Sequence, residues 1–138
     1  MKSLSNAVLL MGALALTVIW GCAPQRTPNV NYVLRPGAGE QEVSQDDKDK
    51  LGTILDTVAA KYGMAKVPRR QADMLRDYQP SQSLMTGLTA IVEKTRVVVQ
   101  VMPLMPGVDE KPVYAEFKSV LEKGLQAAFG SRVSAVTE

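Results

Sequence analysis

Apolar residues recur along this chain in two rhythms. Leu51, Ile54, Leu55, Val58, Ala59 and Tyr62 stand at i, i+3, i+4, i+7, i+8 and i+11, the spacing of one buried helix face. Ser44 with Asp47 three residues on resembles a capping box, and Asp46 and Asp47 put negative charge at the positive end of the helix dipole. Lys61 falls in the last turn, and Gly63 supplies the left-handed residue that ends a helix. The pattern predicts a helix over residues 45–62. A second stripe, Val113, Phe117, Val120, Leu121, Leu125 and Ala128, begins at Pro112 and ends at Gly130. Proline suits a first helical turn because its missing N–H costs nothing there. Gly124 weakens that helix by about 1 kcal/mol relative to Ala, so a close backbone approach is expected at it.

Between the helices the rhythm becomes alternation. Leu84 to Val92 and Arg96 to Met102 are β-branched and apolar, split by Glu93-Lys94-Thr95, and predict an antiparallel hairpin. Val97, Val99 and Val101 fall on one face; Arg96, Val98, Gln100 and Met102 on the other. One face of the sheet is therefore buried and one mixed. Gly87, inside the first hairpin strand, marks either a bulge or a place where a ligand or another backbone approaches. Arg132 to Thr137 predicts a last strand. Asp73 to Gln79 stays open between strand and helix, because Leu75 and Tyr78 also fit a helical spacing. The fold class expected is α+β: a small two-layer domain over residues 44–138, two amphipathic helices packed on an antiparallel sheet of three or four strands.

The N-terminus has a different character. Lys2 precedes an uncharged run from Ala7 to Trp20, the basic and apolar regions of a secretory signal. The run is too short for the ~20 apolar residues of a membrane-spanning helix. It closes on Ile19-Trp20-Gly21-Cys22, which resembles the lipobox of bacterial lipoproteins: an aliphatic residue, a small residue, then the cysteine. The resemblance covers residues 1–22 alone. It implies that residues 1–21 are a signal peptide, that Cys22 receives diacylglycerol and becomes the first residue, and that its amino group takes a fatty acid such as palmitate. Ala23, rather than Asp, after the cysteine implies an outer-membrane location facing the periplasm, or the inner or cell membrane where the host has no outer one. Cys22 is the sole cysteine; lipidation leaves no unpaired thiol in an exported protein.

Residues 22–43, with Pro24, Pro28, Pro36, Gly37 and Gly39, have the composition of a tether. About 20 residues of flexible coil separate their ends by roughly 25 Å, enough to hold a domain clear of lipid headgroups. Within them Val30, Tyr32 and Leu34 alternate, either as an edge strand or as a sticky part of the tether.

Composition narrows the chemistry. Residues 22–138 carry 15 basic and 14 acidic side chains, against the clustered positive charge of a nucleic-acid surface. The densest basic cluster, Lys66 with Arg69 and Arg70, is short and followed by Asp73 and Asp77. There is no histidine. That removes Cys/His zinc sites and Ser-His-Asp triads, and no phosphate-binding glycine loop is present. Catalytic residues, a metal and a cofactor are all assigned as none. A carboxylate-based cell-wall hydrolase stays as a weaker alternative, with Glu93, Asp109 and Glu110 in loops. The segment Val101 to Val108 is nearly all apolar, but Pro103 and Pro106 keep it from being a central strand. Leu104 and Met105 either tuck under the second helix or, with Met102, form an exposed partner-binding loop. The expected function is a non-catalytic interaction or assembly accessory of the envelope, held to the membrane through lipid on Cys22 and bound to an envelope protein. The alternative is a periplasmic module for a small or lipidic ligand, with the mixed sheet face as its platform.

Overall fold

The computed structural model describes residues 27–137; the expected signal peptide and Cys22 lie outside the described residues. Strands β1 (Val30–Leu34), β2 (Ala65–Lys66), β3 (Met74–Gln79), β4 (Thr86–Glu93), β5 (Arg96–Pro103) and β6 (Val133–Thr137) form one sheet. Helices α1 (Gln45–Lys61) and α2 (Pro112–Phe129) cover it. The strand order is β2-β3-β4-β5-β1-β6, antiparallel throughout. Neither helix is long and apolar enough to cross a membrane.

The α+β class stands, but the expected sheet of three or four strands is corrected to six. Residues 30–34 and 74–79 both join it, and Ala65–Lys66 adds a short edge. Val30–Leu34 is no edge strand. It lies between β5 and β6, with Val30 opposite both Val101 and Thr137, and all five of its residues are buried. The folded unit therefore draws on the stretch read as tether, and a domain beginning at residue 44 would lack an interior strand.

The ambiguity at 73–79 has a structural cause. The register of β3 against β4 shifts between Met74 and Arg76. This bulge lets Leu75 and Tyr78, three residues apart, both be buried in the core. A bulged strand thus imitates a helical repeat.

Both helices pack on the face carrying Tyr32, Leu34, Leu88, Val97, Val99 and Val101. Helix α1 starts as its sequence demands: Ser44 Oγ accepts from Asp47 N at 3.2 Å. It ends where Gly63 takes φ +71° and Met64 N donates to Ala59 O at 2.9 Å. The helices meet where Tyr62 and Phe117 stack edge to face at 5.3 Å between centroids. A Cβ on Gly124 would lie 3.1 Å from Ile54 Cγ2, so a side chain of α1, and not its backbone, comes close at that glycine. Gly52 makes room for the sheet, since a Cβ there would fall 2.5 Å from Arg76 Nη2.

At the end of the sheet that holds the β4–β5 turn, Arg132 acts as a clasp. Its guanidinium donates to Asp47 Oδ2 at 2.6 Å and to the Arg35 carbonyl at 3.2 Å, while its own carbonyl accepts from Arg35 N at 3.0 Å. The start of α1, the end of β1 and the approach to β6 are joined there. The Arg132 hydrogen bond holds the Asp47 carboxyl below its ordinary 3.8, with burial opposing.

Leu55 and Leu121 are fully buried on facing helices, so Leu55→Ala and Leu121→Ala should each cost about 2–5 kcal/mol in denaturant unfolding. Losses under ~0.5 kcal/mol at both would place the stripes outside the core. A carboxyl whose folded pKa is depressed stabilises fully above its unfolded value and loses that contribution as pH falls through the folded one. Asp47→Asn should therefore lower the unfolding midpoint at neutral pH and lower it much less well below pH 3.8. An unchanged gap between the two proteins across that range would rule out the Arg132 pair as its source.

Candidate functional site

A cluster of engaged ionisable groups lies between α1 and β3. Asp56 receives Arg76 Nε at 3.1 Å and the Tyr78 hydroxyl, with Lys66 Nζ 3.5 Å away. Burial pushes the Asp56 carboxyl up, but the Tyr78 hydroxyl and the Arg76 guanidinium together hold it below the ordinary carboxylate range. Burial and the bond to Asp56 push the Tyr78 phenol up. A carboxylate kept ionised beside a phenol kept protonated is poorly matched to proton transfer near neutral pH. The cluster ties helix to sheet, and Lys66, part of the basic run in the sequence, is spent in it. Arg69 lines a small 140 Å³ cavity with Lys48 and Asp73.

Glu93 does not converge with Asp109 and Glu110. Glu93 pairs with Arg96 across the β4–β5 turn at 3.2 Å, whereas Asp109 and Glu110 follow the far end of β5. The eight residues of β5 rise roughly 26 Å, against the 5–10 Å or so that carboxylate-pair hydrolysis uses. Among the described residues no group of three or more His, Cys, Asp or Glu is placed to hold a metal.

A groove of about 430 Å³ runs between the second half of α2 and strands β1 and β6. The Tyr32 ring is buried at its base, and its hydroxyl donates to Glu122 Oε1 at 2.7 Å. Leu125, Val133 and Ala135 supply apolar wall, and Glu122 and Gln126 are exposed along the helix. Burial, then the bond to Glu122, pushes the Tyr32 phenol up, so it remains a donor. No sequence signal marked this groove. It arises because β6 carries the sheet past the width of the helix layer, and that strand's neighbours were not known from its sequence.

The mixed face is present on the opposite side. Asp77, Thr89, Gln100 and Asn31 stand side by side across four strands, next to a row of Ile91, Val98 and Val33. Asn31 Oδ1 and Thr89 Oγ1 are buried there without a hydrogen-bond partner among the described residues. The groove lies on the helix side, so the platform expected on the mixed face and the cavity are in different places.

The 101–108 segment divides. Val108 is buried beneath α2. Leu104 and Met105 are 51% and 53% exposed, so they do not tuck into the core. Met102 is half-buried and lies over Gly87, where a Cβ would meet its Cε at 3.1 Å. The pairing of Gly87 with Met102 is regular, so that glycine is not a bulge, and what comes closest to it is the Met102 side chain rather than another backbone. The loop is held by Leu104 N donating to Met85 O at 3.0 Å, and Thr27 Oγ1 donates to Met105 O at 3.4 Å. The exposed apolar tip therefore sits beside the point where the described chain begins.

Leu104→Asp combined with Met105→Ser should change stability by less than ~1 kcal/mol, because both side chains already meet water. A loss of several kcal/mol in thermal unfolding would return them to the core, where an unpaired carboxylate is strongly unfavourable.

No protein-family model, no curated protein and no solved structure matches this chain.

Proposed function

We propose that this chain is a membrane-anchored periplasmic lipoprotein whose domain serves as a non-catalytic interaction or assembly accessory of the cell envelope. The observation that carries the reading is Ile19-Trp20-Gly21-Cys22, closing a charge-free run in a chain with no other cysteine. The state of the ionisable groups supports it. Asp47, Asp56 and Glu93 are each engaged by an arginine, while the exposed apolar tip at Leu104 and Met105 offers a contact surface. The groove beneath α2 supports a second reading, a binding module for a small or lipidic ligand. Its volume falls within the range of ligand pockets, and its apolar wall ends at one buried hydroxyl beside a carboxylate.

Cys22→Ser should abolish incorporation of radioactive fatty acid and leave a precursor of higher mass in the membrane fraction. Equal labelling of both forms would sink the anchor. Crosslinking of the lipidated form in intact membranes should then recover one envelope protein reproducibly; recovery of none would retire the accessory role.

A further inference from the structure

We infer that the Leu104–Met105 loop docks on the lipid bilayer itself, giving the domain a second membrane contact and a fixed orientation. The inference rests on the lipid anchor proposed above and names the partner of the exposed loop.

The length of chain between anchor and fold carries it. A tether through residue 43 would hold the domain away from the surface. Because β1 is interior and begins at Val30, that slack does not exist. Cys22 and Thr27 are five residues apart, a span that fully extended chain covers in at most about 18 Å. Thr27 is itself bonded to the Met105 carbonyl, so the lipid attachment point and the loop are held on one short leash. The strand β5, roughly 26 Å long, exceeds that leash. The loop end of the sheet, and not the β4–β5 turn, is the end kept at the bilayer.

The surface there suits lipid. Leu104 and Met105 are exposed large apolar side chains in the loop, and Pro106 beside them is also exposed. Asp109, Glu110 and Lys111 follow within six residues of Met105. With Arg26, which directly precedes Thr27 in the sequence, these charges cancel, so the contact is apolar insertion at the interface and not attraction of a basic patch to anionic headgroups. A protein is the other conceivable occupant. The leash favours lipid, because every anchored molecule has the bilayer within reach at a high effective concentration, so a weak insertion is enough.

Trp20 is the single tryptophan and lies in the signal, so each variant of the mature chain gains one unique fluorophore. Leu104→Trp and Thr95→Trp, the latter exposed at the opposite end of the sheet, would be purified in lipidated form. Each would be placed in phosphatidylcholine vesicles with and without brominated acyl chains. The Leu104→Trp protein should emit to the blue and be quenched several-fold more strongly by the brominated lipid than the Thr95→Trp protein. Replacing part of the lipid with phosphatidylglycerol should change little. Equal, weak quenching with the acyl mass present on Cys22 would overturn loop docking while leaving the anchor intact, and would leave the loop to a protein partner. Absence of the acyl mass would overturn both. Met105→Trp gives the same readout should Leu104→Trp fail to fold.

Discussion

Strand β1 is bonded along both edges, to β5 through Val30–Val101 to Leu34–Val97 and to β6 through Val30–Thr137 to Leu34–Val133. Backbone amides and carbonyls in a buried strand must find partners, and here each side of five residues is answered by a different strand. Remove β1 and β5 loses a neighbour, while β6 loses its place in the sheet. The Arg132 clasp depends on the same insertion, since the Arg35 backbone that it grips directly follows Leu34. The start of the fold and its end are thus joined through one strand.

With that sheet in place, the division of surfaces follows from width. Two helices in contact at Ile54–Gly124 and Tyr62–Phe117 form a layer narrower than six strands. At the β6 side the uncovered strip becomes the groove over Tyr32. On the opposite side the row through Thr89, Gln100 and Asn31 lets that face be neither fully apolar nor fully solvated in character. At the end away from the clasp, two prolines turn the chain from β5 to α2 and leave Leu104 and Met105 outside the core.

What could be read from the sequence was what is coded locally. Helix α1 ends within one residue of its expected span, because its cap at Ser44 and its stop at Gly63 are set by neighbouring residues. Helix α2 runs from Pro112 to Phe129 for similar reasons. The two faces of β5 were legible from alternation alone. The status of 30–34 was not: five residues cannot announce strands that pair with them from the far end of the chain. Leu75 and Tyr78 misled through a bulge, which changes the period without changing the composition. The exposure of Leu104 and Met105 could not be decided either, since an apolar loop reads alike whether it is packed or bare. The groove gave no signal because it belongs to a relation between α2 and β6, not to either segment.

The pairing of Val30 with Thr137 also bears on when this protein can fold. Contacts that close most of the chain require the loop-closure entropy before they return any stabilisation, and folds rich in them assemble in milliseconds to seconds instead of microseconds. The hairpin of β4 and β5 is local and can form early. The interior strand, by contrast, has no second partner until residues 133–137 are available. The sheet therefore stays open along one edge of β1 through the early steps, and closes only when β6 docks.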